Sequence, residues 1–462
     1  MDQKYLSVID EKAQLLQETA DYLWDNPETA FTEFQSAERI CKVLRDEGFT
    51  VEENLANIKT AFSGTYGSGK PVIGILGEYD ALSGLGQVHG VTHAEPNGGE
   101  CGHGCGHNLL GTGALGAAIA VKEWLKETGN PGTVIYFGTP GEEGGSGKGF
   151  MARDGVFDGL DAALTWHPDS KTYVRTHRSL ANYQILYKFD GIASHAGGKP
   201  ELGRSALDAC ELMNVGVQFL REHIPSSCRI HYAITDAGGF SPNVVQPHAE
   251  VLYLIRAVDN PTVKEIYERV NDIAAGAALM TGTKESHEFI KACSNTVPNT
   301  ALQTLVYEKM HEVGSPAPTE EDLAFARRFM EDDLKRYPQA DPDHPIWWEI
   351  DPYDHSEKQE FGSTDVGDVS WVCPTCHMSA ATMARGTPPH SWQEVAQGKL
   401  PLAHRATRYA AKVIAASAVA LMTDPDRLQQ AKEEHQKRVG PKGYEAPIPK
   451  DVKPRSMDSL RK

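Results

Sequence analysis

Four short segments hold most of the residue types that can do chemistry. His103-Gly-Cys105-Gly-His107-Asn108 sets two imidazoles and a thiol in a glycine-rich turn. A Cys and a His two residues apart can aim at one ion while glycines let the backbone fold tightly around it. A buried thiol beside a hydrogen-bonded imidazole satisfies the same pattern, so the pair alone does not choose. Glu142-Glu143 follows Pro140-Gly141 and precedes Gly144-Gly145. Adjacent carboxylates repel unless positive charge lies between or beside them. Two jobs suit such a pair: ligating a metal, and taking a proton from a water that the metal activates. A solvated loop pair is the plain alternative, and the apolar run TVIYF just before them argues against it. His167 in TWHP and His390 in GTPPH are late members of the set, and either alone reads as a structural histidine. Together, one Cys, several His and a double acid supply the mixed N, O and S donors of two metal sites.

Two look-alikes carry less, and one motif is missing. Gly111-Thr-Gly-Ala-Leu-Gly116 matches a dinucleotide fingerprint in letters only, because it lies inside a helical stretch rather than directly after a strand. Cys373-Pro-Thr-Cys376 has no second such pair, so a zinc ribbon fails and the two read as incidental reduced thiols. No G-x-S-x-G elbow occurs, which weakens a serine hydrolase reading.

A sheet must position these groups. TAFSGTYG, PVIGILGEYDAL, TVIYFGTPGEEGG and AALTWHP read as strands, and LLGTGALGAAIAVKEWLKET as a small-residue helix that packs close to a neighbouring sheet. This alternation predicts an α/β catalytic domain with a mainly parallel sheet flanked by helices. Most of the candidate ligands fall at strand ends, the usual binding edge of such sheets. Between 181 and 297 the order becomes β-α-β-β-α-β, which predicts an inserted α+β ferredoxin-like domain. The catalytic domain then spans 1–180 and 298–462. The polar segment 334–360 is expected to be an irregular loop, and the tail beyond about 437 to be extended.

Composition bounds the partners. The chain has 462 residues, 45 Lys and Arg against 63 Asp and Glu, and a net charge of −18. Two or three domains are expected, and nucleic acid is not, since a phosphate backbone needs a basic face. An anionic small molecule is less strongly excluded, because a basic pocket can sit on an acidic protein. MDQKYLSVIDEKAQ lacks a basic stretch followed by an apolar one, and the apolar run 410–422 is too short to cross a bilayer, so no membrane is expected. Eight cysteines in such a chain are expected to be reduced, in the cytoplasm.

HGCGHN, PGEEGG, the strand-end His167 and the late GTPPH resemble the aminoacylase/carboxypeptidase family of dinuclear metallopeptidases. The branch is that of the hippurate and indole-acetyl-amino-acid amidohydrolases. Within it, GKPVIGILGEYDALSGL, GEEGGSGKGFM, SPNVVQPHAEVLYLIRA and STDVGDVSW are similar to the B-type subunits of p-aminobenzoyl-glutamate hydrolases. The likeness spans nearly the whole chain. It implies two divalent ions, Mn2+ or Zn2+, bridged by Cys105 as thiolate, with His107 and Glu143 completing one site and His167 and His390 the other. It implies Glu142 as general base and Asp80, in GEYDAL, as an acid that orients a ligand. Glu78 stands where many members place a metal-binding His, so that role passes to His107.

The same resemblance implies that the inserted domain is a lid that also dimerises, with a second copy or with a homologous subunit. His195 is implied to reach the partner's site and stabilise a tetrahedral oxyanion. Asn243 and Arg256 are implied to grip the substrate's free carboxylate, and Gly362 to offer a backbone group nearby. Plain alternatives exist: a turn end for Asn243, a surface ion pair for Arg256, a loop cap for His195. The expected activity is hydrolysis of the amide bond in N-acyl or N-aroyl amino acids such as p-aminobenzoyl-glutamate. A dipeptidase or a hydrolase of indole-acetyl or fatty-acyl amino acids competes within enzymology. A non-catalytic regulatory subunit is the reading of another class, and the complete ligand set disfavours it.

Overall fold

The computed structural model describes residues 4–456 and 459. They form two compact units. One holds the chain up to His177 together with Val297–Lys358 and Val369–Glu445; the other holds Arg178–Thr296, Gln359–Asp368 and the described tail from Ala446.

The first unit is built on an eight-stranded sheet. Its centre is four parallel strands in the order Gly132–Gly138, Val72–Gly77, Ala162–Asp169, Thr375–Ala381. Parallel strands are covered on both faces, which is why these segments read as near-continuous apolar runs rather than alternating ones. Antiparallel neighbours extend the sheet: Phe62–Ser68 and Thr50–Glu53 on one side, Lys171–Val174 on the other. Trp347–Ile350 pairs with that last strand in parallel. It lies inside the segment expected to be irregular, where half-buried Trp347, Trp348 and Ile350 give an edge strand enough apolar surface to pair.

The helices His107–Thr128 and Pro401–Thr423 are buried over most of their lengths and pack on each other. Small residues let the first of them approach the sheet. A Cβ at Gly111 would lie 2.5 Å from the Glu78 carbonyl oxygen, and one at Gly113 would lie 2.5 Å from the Trp166 indole nitrogen. The Trp166 N–H donates to the Leu110 carbonyl at 3.0 Å, so the helix start is tied to the end of a strand. Among the described residues, no helix is long and apolar enough to cross a membrane.

The second unit has a four-stranded antiparallel sheet in the order Arg229–Asp236, His248–Ala257, Ala181–Asp190, Lys284–Cys293. Helices Ala206–Leu220 and Asn260–Thr281 complete the β-α-β-β-α-β, ferredoxin-like order. Ser205 and Asp259 cap them, each accepting a backbone N–H of the first turn. Val251, Tyr253 and Ile255 are buried on one face of the sheet, where the Tyr253 hydroxyl donates to Asn214 of the first helix. Of the described large apolar side chains that stand exposed, all but Tyr22 and Phe34 belong to this unit, among them Phe219, Tyr232, Ile234, Leu279 and Met280. The edge strand Arg229–Asp236 carries two of them.

Candidate active site

Three strand ends and one late loop supply the site of the first unit. Cys105 and His107 flank Gly106, whose φ of +68° is left-handed and whose Cβ, if present, would press on the Pro168 ring at 2.8 Å. This turn brings the Cys105 Sγ to 3.4 Å from His167 Nε2. His167 Nδ1 lies 2.6 Å from the Pro168 carbonyl, so the proton sits on Nδ1 and a lone pair on Nε2 faces the thiol. His107 Nδ1 lies 3.0 Å from Asp80 Oδ1, and Asp80 Oδ2 accepts the Glu143 backbone N–H at 2.7 Å. Asp80 thereby holds a histidine and an acid-bearing turn at once. His390 adopts a left-handed φ of 54°, donates its backbone N–H to Gly104, and sets Nε2 at 3.1 Å from Glu143 Oε1.

Ligand atoms of Cys105, His107 and His167 lie within 4.8 Å of one another; so do those of Cys105, Glu143 and His390, and those of Glu78, His107 and Glu142. Cys105 is common to the first two groups, as a donor shared by two ions would be. The grouping differs from the one the resemblance implies, which joined His107 to Glu143 and His167 to His390. The cause is local: the Cys105 turn packs on Pro168, next to His167, while the His390 loop is tied to Gly104 and its ring turns to Glu143.

The charges are one-sided. Glu78 and Asp80 are buried, and the fully buried Lys148 pairs with Glu78 at 2.7 Å. Burial opposes the charged form of His107, but Asp80, Glu78 and Glu143 outweigh it and hold the imidazole well above its ordinary pKa. Burial and the carboxylates of Glu143, Glu394 and Glu142 push the Cys105 thiol well up. Burial and the nearby Asp169 and Glu143 do the same to Glu394. Burial and Arg175 push His167 well down, leaving it neutral as a ligand must be. His107 Nε2 is enclosed 3.2 Å from Glu78 Oε2, and Glu143 Oε1 is enclosed 3.1 Å from His390 Nε2. Excess acid, enclosed imidazole and carboxylate atoms within reach of one another, and a shared thiol fit a pair of divalent cations, which would reverse the penalty on the thiolate.

Comparison with known proteins gives the family. Residues 74–447 match the model of peptidase family M20/M25/M40. The chain belongs to this family. It is accordingly a metal-dependent hydrolase with the family's mixed α/β architecture. An M20 relative, the B-type subunit of p-aminobenzoyl-glutamate hydrolase from Escherichia coli (strain K12), is 47% identical over 96% of this chain and 97% of its own length. The Xaa-Arg dipeptidase of Mus musculus is 27% identical over 80% of this chain and 77% of its own. A solved Bacillus subtilis structure, described as a dinuclear metal binding peptidase from the M20 family, aligns with a TM-score of 0.55 at 15% identity, covering 88% of this chain and 98% of that one.

The remaining residues singled out in this M20 chain lie in the second unit. His195 is exposed, and its Nδ1 accepts the N–H groups of Gly197 and Gly198 at 3.2 and 3.0 Å. Its other nitrogen, Nε2, therefore carries the proton of the neutral ring and is a donor. Asn243 is exposed, and its carbonyl accepts the Ala196 N–H at 2.9 Å, so it stands beside His195. Arg256 donates to the Ser363 hydroxyl at 3.1 Å, next to Gly362, rather than to a carboxylate. Gly362 in turn accepts the Leu180 N–H through its carbonyl.

Sequence patterning did not single out three buried partners of the site: Glu33, Lys148 and Glu394. Glu33 is fully enclosed, and its carboxyl accepts the Gly141 and Phe31 N–H groups at 2.9 Å and the Thr60 hydroxyl at 2.8 Å. It thus anchors the turn that carries Glu142 and Glu143. Burial and Asp80 push it up to about 8. The available signal was an acid directly before an apolar helix, which on its own reads as a cap.

Proposed function

We propose that the chain hydrolyses the amide bond between an aroyl or acyl group and an amino acid, with p-aminobenzoyl-glutamate as the representative substrate. The observation that carries this is a thiol shared by two ligand groups beside a pair of acids, in a chain nearly half identical to one subunit of p-aminobenzoyl-glutamate hydrolase along almost its full length. Cys105, His107 and His167 would hold one divalent ion, and Cys105, Glu143 and His390 the other, Mn2+ or Zn2+. The ions, when bound, supply a water acidified for attack and polarise the scissile carbonyl. Glu142 takes the proton of the attacking water and returns it to the departing amine. Asp80 keeps His107 in one tautomer and the Glu142-Glu143 turn in place. The Nε2–H of His195 donates to the oxyanion that forms as the carbonyl is attacked. Asn243, Arg256 and the backbone at Gly362 seat the amino-acid carboxylate, to which a guanidinium fork is suited.

The exposed apolar side chains of the second unit supply a surface for association, either with a second copy or with a homologous subunit. The Escherichia coli relative is by name one subunit of its hydrolase. The test is glutamate release from p-aminobenzoyl-glutamate after chelation and after return of Mn2+ or Zn2+, with bound metal counted in parallel. Release that returns with about two ions per chain supports the proposal. Two bound ions without release would sink the substrate, and no binding would sink the enzyme reading.

A further inference from the structure

Acids outnumber bases in this chain, yet one corner of the second unit holds arginines that no carboxylate among the described residues neutralises. Arg229 and Arg256 stand directly opposite each other in the antiparallel pairing of Arg229–Asp236 with His248–Ala257. Their side chains therefore leave the same face of the sheet, with Cβ atoms about 5 Å apart, and like charges in that position destabilise a strand pair. Neither forms an ion pair within the described residues, although acids outnumber bases by 63 to 45 in the whole chain.

Both guanidinium groups are nonetheless fixed. Arg229 Nη1 donates to the Ser226 and Cys228 carbonyls at 2.5 and 2.8 Å, and its guanidinium carbon lies 4.4 Å from the centre of the Phe361 ring. Arg256 Nη1 donates to the Ser363 hydroxyl, while its Nε is buried without a partner. One short segment, Phe361 to Ser363, thus touches both. A Cβ on Gly362, between the two contacts, would meet nothing within 4 Å, so the space there is open. His231, two residues from Arg229, feels the same field: burial, Arg256, Arg221 and Arg229 lower its pKa. Neutral partners hold these arginines without cancelling their charge, and a bound dianion would remove the repulsion between them.

We propose that Arg229 and Arg256 together seat a dicarboxylate, so that the amino-acid half of the substrate is acidic, with Arg229 reading the side-chain carboxylate while Arg256 takes the α-carboxylate. This rests on the amidohydrolase reading for the role of Arg256, and it adds the residue that selects the side chain. A neutral amide in place of the side-chain carboxylate offers Arg229 only half the interaction, since charge-assisted hydrogen bonds are about twice as strong as neutral ones.

The experiment compares p-aminobenzoyl-glutamate with p-aminobenzoyl-glutamine on the metal-loaded protein and its Arg229→Met and Arg229→Lys variants. Methionine keeps an apolar stem for Phe361, and lysine keeps the charge but not the fork. The wild type should favour glutamate, and Arg229→Met should reduce the ratio of kcat/KM values by about 10- to 100-fold, the worth of one hydrogen bond to a charged group. Most of that change should lie in KM for glutamate, and Arg229→Lys should restore part of the ratio. Equal loss on both substrates, or a ratio within about threefold of wild type, would mean that Arg229 merely braces the Ser226–Cys228 turn and would overturn the proposal. If the wild type cleaves both substrates equally, this inference fails while the amidohydrolase reading stands. If it cleaves neither, this inference falls, and the count of bound ions decides whether the substrate or the enzyme reading falls with it.

Discussion

The two units of the chain solve opposite problems. In the catalytic unit, acids, imidazoles and a thiol are packed where water is largely excluded, and each is braced by a partner from another strand end, as Asp80 braces both His107 and Glu143. In the inserted unit, His195 and Asn243 stand exposed on a loop, and the apolar side chains around them are uncovered. The first region is prepared for cations before any arrive. The second presents exposed side chains to its surroundings. The difference teaches that the fold itself fixes the acids, imidazoles and thiol of the catalytic unit, whereas the inserted unit leaves His195, Asn243 and a set of apolar side chains exposed.

Substitutions can break that contrast, beginning with the largest effect. Glu142→Gln should lower kcat for glutamate release by roughly 10²–10⁴-fold, the usual worth of a general base, with bound metal unchanged by elemental analysis. His195→Ala should cost roughly 10²–10³-fold in kcat if its Nε2–H stabilises the oxyanion. Its metal content and thermal midpoint should match wild type, because the side chain is exposed. A His195→Ala protein of full activity would remove the inserted unit from the chemistry.

A smaller effect tests the bracing itself. Glu33 holds its proton to about pH 8 when folded, whereas an unfolded glutamate loses it near 4.5. Between those values the native state binds more protons than the unfolded one, so this group's contribution to stability is present at low pH and lost as pH rises through the window. Denaturant unfolding of Glu33→Gln should therefore show a flatter decline from about pH 5 to about pH 8 than wild type, by an amount on the order of a few kcal/mol. Identical slopes would place the proton elsewhere. The smallest effect is expected at Cys373, a buried free thiol outside every ligand group. Cys373→Ala should leave kcat/KM within about twofold in the same release assay, because it removes a small buried side chain and no ligand.

The two regions were not equally legible in the sequence. Alternating strands and helices, and the β-α-β-β-α-β insert, follow from periodicity, since burial on one or two faces writes itself into the spacing of apolar residues. Cys105, His107, Glu142 and Glu143 could be suspected because the turns that hold them are short and glycine-rich. His167 and His390 could be joined to them only as members of a set, and their pairing with particular partners depends on Pro168 and Gly104, contacts that no spacing encodes. Glu33 was invisible for the same reason, since the turn it anchors lies more than a hundred residues away. The edge strand Trp347–Ile350 was hidden in a polar segment, where one short apolar run carries little signal against its surroundings.

The place of Thr375–Ala381 in the sheet has a consequence for how the molecule is made. That strand sits between Ala162–Asp169 and Lys171–Val174, which precede it by some two hundred residues. Chains emerge from the ribosome N-terminal end first at about 5–20 residues per second, so tens of seconds separate the appearance of His167 from that of His390. During that interval the nascent sheet lacks the strand between Ala162–Asp169 and Lys171–Val174, and of the residues grouped with Cys105 only His390 is still to be made. The strands of the inserted module, Ala181–Asp190 to Lys284–Cys293, are all made in between. A truncated chain ending before Thr375 would carry Cys105, His107, Glu143 and His167 without a finished sheet to hold them.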